Sequence, residues 1–316
     1  MPIVNRMAEL HDEITEWRRD IHSNPELMYD VHETAASVAE KLKAFGCDEI
    51  HTGIGRTGVV GIIHGKTQNS GHVVGMRADM DALPIEEATN KPYKSKVPGK
   101  MHACGHDGHT AMLLGAAKYL SETRNFDGTV AVIFQPAEEG GAGGKAMVDD
   151  GMMDRFNIKE VYGMHNMPGL PVGEFAIRSG PLMAATDEFN ITVSGKGAHA
   201  AMPHQGVDPI TTTAQIVTAL QTIVSRNLNP FEPLVISVTQ FHSGTAYNVI
   251  PDEAKIVGTI RSLSREARDH AIERMKEVTN AIANSAGATA EVVIREGYPA
   301  TINHDTETQK AISVAS

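Results

Sequence analysis

A cysteine, three histidines and an aspartate fall within eight positions of the stretch MHACGHDGHTAM, residues 101–112. His102, Cys104 and His106 alternate, so an extended backbone would turn their side chains to one face, and His106 and His109 stand one turn apart if a helix starts there. Thiolate and imidazole are the ordinary ligands of zinc-type metals. A cysteine nucleophile and a purely structural set compete as readings of the same cluster. Further along, FQPAEEGGAGG carries Glu138 and Glu139 out of an apolar run into a glycine-rich turn. Neighbouring side chains on extended backbone diverge, so one carboxylate could bind a metal while the other takes a proton from water. A solvated surface pair is the plain alternative. His165, in VYGMHNMPG, is either an imidazole ligand or a hydrogen-bonded interior histidine. Asp79 and Asp81, in GMRADMDALP, are turn or capping residues, or else carboxylates that orient a ligating histidine.

These groups act together only if the chain brings them to one place. Residues 5–45 carry apolar positions at helical spacing on either side of Pro25, which predicts two helices. GVVGIIHG, HVVGMRADMD and TVAVIFQPAEE read as strands, with TAMLLGAAKYLSE as a helix between the last two. The alternation predicts an α/β domain with a central, mostly parallel sheet flanked by helices. In such sheets ligands sit at the carboxyl ends of strands, and MRADMD, FQPAEE and VYGMHN all run from apolar strand into acidic residues or histidine.

From about residue 187 the order becomes βαββαβ, the ferredoxin-like arrangement of an antiparallel four-stranded sheet with both helices on one face. This α+β module, about 186–297, either interrupts or follows the α/β domain of residues 1–185. The second domain has its own polar candidates: His199 in a glycine-rich loop, Asn248 in SGTAYNVIP, and Arg261 in GTIRS, the last two able to bind an oxyanion and a carboxylate. Asp305 is placed to cap a final helix, which has hardly begun when the sequence stops, so the chain reads as shortened.

A formal net charge of −11 argues against a nucleic-acid partner, since phosphate binding needs a basic surface. The opening MPIVNRMAELHDEITEWRRD has no continuous apolar run, and no 18-residue apolar stretch follows, so neither a leader nor a membrane span is expected and the location reads as cytoplasmic. Cys47 reads as a packed core residue.

Six blocks, MRADMDALPIEE, MHACGHDGHTAMLLGAA, FQPAEEGGAGG, MHNMPGLPVG, GKGAHAAMPHQGVDPI and GTAYNVIP, in this order, resemble the metal-dependent N-acyl-amino-acid amidohydrolases. That group includes hippurate hydrolases, bacterial aminoacylases and auxin-conjugate hydrolases. The resemblance implies a catalytic domain over 1–185, with 298–316 beginning its return, an inserted lid or dimerisation domain over 186–297, and one or two divalent ions, Zn²⁺, Mn²⁺, Co²⁺ or Ni²⁺. It implies Cys104, His106, Glu139 and His165 as metal ligands, Glu138 as general base and Asp81 as the carboxylate supporting the site. His199 matches a lid histidine that reaches the partner subunit's active site, and Asn248 and Arg261 match substrate-contacting lid positions. A small N-acyl amino acid is then the substrate, and a homodimer or homotetramer the assembly. His102, Asp107 and His109 become supporting or helix-starting residues.

Two departures from the family pattern accompany this match. Distant dizinc relatives carry a ligating histidine where this chain has Asp79, and family members continue beyond residue 316 with one more histidine ligand. A metallopeptidase or dipeptidase of the same superfamily, and an inactive metal-binding or assembly form, are the alternatives. A nucleotide-binding glycine loop is disfavoured because EEGGAGGKAM lacks the phosphate-loop spacing.

Overall fold

The computed structural model describes residues 5–316. Residues 1–4, part of the opening stretch read above, lie outside the described residues. The chain divides after Glu174 into two compact units.

In the first unit, helices α1 (Asn5–Glu9), α2 (His11–Ser23) and α3 (His32–Phe45) precede a strand pair, β1 (Glu49–Ile54) and β2 (Gly58–His64). Then follow β3 (Val73–Asp79), α4 (His106–Thr123), β4 (Thr129–Gln135), α5 (Gly143–Asp149), α6 (Met152–Arg155) and β5 (Glu160–Gly163). The two predicted N-terminal helices are α2 and α3. The latter ends where Gly46 takes a left-handed φ of 80° and donates back to Leu42 and Lys43.

The five strands lie in the order β1-β2-β4-β3-β5. The sheet is mixed: β4, β3 and β5 are parallel, whereas β1 and β2 pair antiparallel with each other and β2 antiparallel with β4. Only three residues join β1 to β2, and a connection that short can only reverse the chain. Alternation along β4 divides two cores. Val130, Val132 and Phe134 face one cluster with Val38 and Leu42 of α3 and Leu114 and Ala117 of α4, while Ala131 and Ile133 face another with Met147 and Met152. A strand covered on both sides must be apolar throughout, which accounts for the unbroken run VAVIF. Cys47 packs against the first of these clusters, as expected.

The second unit opens with β6 (Gly180–Met183), followed by β7 (Ala185–Ser194), β8 (Ala198–His199), α7 (Pro209–Thr222), β9 (Leu234–Ser243), β10 (Val249–Ile250), β11 (Glu253–Ser262), α8 (Arg265–Ser285), β12 (Thr289–Glu296), β13 (Thr301–Asn303) and α9 (Asp305–Ala315). The main sheet runs β12-β7-β11-β9, antiparallel at every pairing, which is the ferredoxin-like order read from the sequence. Strand β7 is buried at every second position, and its Phe189, Ile191 and Val193 pack with Ile216 and Leu220 of α7 and Ala271 and Met275 of α8. Helix α7 starts at Asp208, whose carboxylate accepts the N–H groups of Ile210 and Thr211, and α8 starts at Ser264. At α9 the expectation is corrected: His304, with extended backbone, holds the cap position, and Asp305 is already the first helical residue. Among the described residues no helix is long and apolar enough to cross a membrane.

One buried ion pair secures this unit. Arg268 of α8 grips Asp187 of β7 through two hydrogen bonds of 2.8 and 2.9 Å, and Asp187 is only 3% exposed. Arg268→Ala would strand a buried carboxylate, which costs about 3–5 kcal/mol. A urea titration should show the loss, and a change below about 1 kcal/mol would mean the pair is dispensable.

Candidate metal centre

Strands β4, β3 and β5 are parallel neighbours, so their carboxyl ends open on the same edge of the sheet. Asp79 ends β3 in register with Gln135 of β4, while Arg77 pairs with Gly163 of β5. Asp81, Glu138, Glu139 and His165 lie just past those ends. Helix α4 starts at His106, after a Gly105 cap, and supplies both His106 and His109.

These residues form three overlapping groups whose ligand atoms lie within 4.8 Å of one another: Cys104, His106 and His165; His106, Glu138 and Glu139; and Asp79, His106 and His109. His106 is common to all three and fully buried. Its Nδ1–H donates to the Asp81 carbonyl at 2.7 Å, which leaves the Nε2 lone pair facing the carboxylates. That Nε2 lies 3.8 Å from both Glu138 Oε2 and Glu139 Oε1, and 3.5 Å from Asp79 Oδ2. His165 repeats the pattern: Nδ1 donates to the Asn166 carbonyl at 2.7 Å, and Nε2 lies 3.4 Å from Cys104 Sγ.

The two glutamates do not diverge as extended backbone would require. Strand β4 ends at Gln135, Ala137 turns to a φ of 50°, and both glutamates lie in a turn. Asp81 holds that turn, its two carboxylate oxygens accepting the backbone N–H groups of Glu138 at 2.8 Å and Glu139 at 3.1 Å. Behind it, a Cβ on Gly143 would come within 1.7 Å of the Pro136 carbonyl oxygen, so only glycine lets α5 approach this closely.

The electrostatics separate the readings of Cys104. Burial and the charges of Glu139, Glu138 and Asp79 push its thiol up to about 12. A nucleophilic cysteine needs positive surroundings that hold it as thiolate, and this one has acidic neighbours. Burial and the charge of Glu139 also raise the Glu138 carboxyl. His106 is raised too: burial alone would lower it, but the Asp81 bond and the charges of Asp79, Asp81 and Glu138 outweigh that.

A divalent cation answers each of these observations. It would pair with the crowded carboxylates, convert the thiol to a ligand, and engage His106 Nε2 and Glu139 Oε1, both buried without a hydrogen-bond partner among the described residues. The donor set of one thiol, two imidazoles and carboxylates suits zinc-type metals, and the overlapping groups provide for one ion or two.

Asp79 and His109 enter the cluster although no ligand role was assigned to them from the sequence. The available signal was the 106/109 helical spacing beside an aspartate at a strand end. His102 belongs to none of the three groups; it is buried beside His22, and burial lowers it to about 4. Asp107 is in none of the groups either, and one of its oxygens accepts from Arg18 at 3.0 Å and His22 at 2.9 Å. The remaining candidates lie in the second unit. His199 pairs with Val249 across the β8–β10 ribbon, beside Asn248, and its Nδ1 accepts the Ala201 N–H at 3.1 Å. Arg261 stands apart from these two, eight positions along β11 from Glu253, or about 26 Å at the rise of a strand. It donates to the hydroxyl of Thr259 and the carbonyl of Ile260.

An α/β sheet with thiol, imidazole and carboxylate groups at its strand ends, in a chain that also carries a ferredoxin-like unit, is the pattern of a metal-dependent hydrolase. The chain belongs to peptidase family M20/M25/M40, whose model matches residues 75–316. It is 43% identical over 315 residues to the hippurate hydrolase of Campylobacter jejuni, covering 100% of this chain and 81% of that protein. It is 45% identical over 317 residues to thermostable carboxypeptidase 2 of Saccharolobus solfataricus, covering 99% of this chain and 79% of that one. The crystal structure of the Bacillus subtilis YXEP protein, described as a dinuclear metal-binding peptidase of the M20 family, superposes with a TM-score of 0.84 at 39% identity. That match covers 98% of this chain and 80% of the other.

Proposed function

We propose that this protein hydrolyses the amide bond of small N-acyl or N-aroyl amino acids, with Cys104, His106, Glu139 and His165 holding the divalent cation and Glu138 acting as general base. The observation that carries the reading is the pair of adjacent carboxylates, Glu138 and Glu139, fixed by Asp81 within 3.8 Å of the same imidazole nitrogen. The bound cation supplies Lewis acidity to the scissile carbonyl.

Glu138 accepts a proton from the attacking water as its oxygen bonds to the carbonyl carbon. It returns that proton to the amide nitrogen as the C–N bond breaks, releasing carboxylate and amine. Its raised pKa narrows the gap between the carboxyl and the groups it exchanges protons with. Asp81 prevents the two glutamates from swinging out of the site. His199 and Asn248 are assigned to the oxyanion, where one donor contributes about 2.7–4 kcal/mol. Since Nδ1 of His199 accepts a backbone N–H, the neutral ring carries its proton on Nε2 and can donate from there. Arg261 is assigned to the substrate carboxylate.

The lid and dimerisation role belongs to residues 186–297, with 298–316 assigned to the catalytic domain. The pairing of β13 with β6, both within the second compact unit, brackets the ferredoxin-like module and supports the limits of that module. A homodimer or homotetramer through this domain is part of the same reading, supported by the edge position of β9 and its exposed Val235 and Phe241. A cytoplasmic location is part of the same reading, since a reducing compartment keeps an unpaired thiol available as a ligand.

The test is chelation. Dialysis against a strong chelator should abolish hydrolysis of N-benzoyl- and N-acetyl-amino acids, and Zn²⁺, Mn²⁺ or Co²⁺ should restore it. Activity that survives chelation but not thiol alkylation would move the chemistry to a cysteine nucleophile. The carboxypeptidase relative favours a second reading, cleavage of C-terminal residues from peptides. N-blocked dipeptides in the same assay separate the two by their kcat/KM ratio.

A further inference from the structure

His109 is buried, 3% exposed, and both of its ring nitrogens are engaged. Its Nε2 lies 3.0 Å from the backbone N–H of Asn166, and a backbone amide can only donate. Nε2 is therefore an acceptor, and the proton of the neutral ring sits on Nδ1, 2.7 Å from Asp79 Oδ1. The other oxygen of Asp79 accepts from Arg77 Nη1 at 2.7 Å, and Arg77 Nε donates to Gln135 at 2.9 Å. Hydrogen bonds thus link the main chain beside His165 to β3 and β4: the Asn166 N–H donates to His109, His109 donates to Asp79, and Arg77 donates to both Asp79 and Gln135.

A second contact holds the same loop. Gly105 has a φ of 89°, and a Cβ there would come within 2.5 Å of the Asn166 side chain. The residue after His165 is thereby pressed onto the start of α4, and His165 Nε2 faces Cys104 across 3.4 Å.

We propose that His109, held in its Nδ1–H form between Asp79 and the Asn166 amide, is the positioning residue for His165 and keeps the Asp79–His109 pair out of metal ligation. The inference rests on the metal-centre reading above. Among the described groups Asp79, His106 and His109 are close enough to bind an ion, but His109 has spent both nitrogens and Asp79 both oxygens. The ligand set then shifts toward Cys104, His106, Glu139 and His165. Arg77 has a share in this, since it neutralises Asp79 and removes one negative charge from the centre.

The experiment measures metal binding and tautomer rather than turnover. Zn²⁺ titration by calorimetry should give His109→Leu a dissociation constant about 10–100-fold weaker than the parent, the usual effect of losing a partner that orients a ligand. His109→Gln can donate to Asp79 through its amide nitrogen and accept from Asn166 through its oxygen, so it should recover most of the affinity. Long-range ¹⁵N–¹H correlation spectra of the metal-free chain should show His109 protonated at Nδ1. Parent-like Zn²⁺ affinity in His109→Leu, or a ring protonated at Nε2, overturns this inference alone. A parent chain that takes up no Zn²⁺ overturns it together with the metal-centre reading. A Leu variant that loses affinity while Gln does not restore it marks a packing effect and also counts against the positioning role.

Discussion

Glu138→Gln should bind Zn²⁺ or Mn²⁺ as the parent does and yet lose about 10²–10⁴-fold in kcat, the range expected when a positioned general base is removed. The amide is nearly isosteric and keeps an oxygen toward His106, so packing and cation affinity change little. It cannot accept the proton of the attacking water. Glu139 does not replace it, because it is the less exposed carboxylate, with a buried Oε1 assigned to the cation. KM should move much less than kcat, since the defect lies in the transition state. The measurement is steady-state kinetics beside metal analysis of the same preparation. Near-parental turnover would remove Glu138 from the mechanism, and loss of metal together with turnover would reassign it as a ligand.

Asp81→Asn should be nearly as damaging, for a different reason. Asp81 is 1% exposed and accepts the backbone N–H groups of Glu138 and Glu139, one on each oxygen. Asparagine offers one oxygen and one NH₂, so at one of the two positions a donor would face a donor. The buried N–H left unsatisfied costs about 1–3 kcal/mol, and the turn carrying both glutamates opens. Both functions of that turn should fall together: kcat/KM by about 100-fold, with weaker cation binding. Calorimetry and kinetics on the same sample check it. A variant that loses turnover at unchanged metal affinity would show that Asp81 acts on Glu138 alone.

The contrast between these two carboxylates shows what was legible before folding. Glu138, Glu139 and Asp81 could be named because acidic residues that follow an apolar strand are conspicuous against the strand's own requirement for burial. The ferredoxin-like module was legible for a similar reason. Strand β7 alternates buried and half-buried positions without a break, and Asp208 and Ser264 mark the two helix starts. Which way Glu138 and Glu139 point was not legible. That depends on Ala137 adopting a positive φ and on Asp81, 57 and 58 positions upstream, gripping two amides. His109 was misweighted likewise: its helical spacing from His106 is local, but its Asn166 donor lies 57 positions downstream.

By itself the sequence determined the inventory and the address of the chemistry. Thiol, imidazole and carboxylate groups stand at strand ends, because a strand buried on both faces can carry polar side chains only where it emerges. It also determined the two-part organisation, since hydrophobic period and caps are local properties. Tertiary structure alone decided the mixed sheet, the convergence of both glutamates on His106, and the occupation of Asp79 and His109 by partners other than a ligand. Each of these depends on hydrogen bonds between residues far apart in the chain. Such bonds acquire direction and length only when packing brings the strand ends within about 3 Å of their partners.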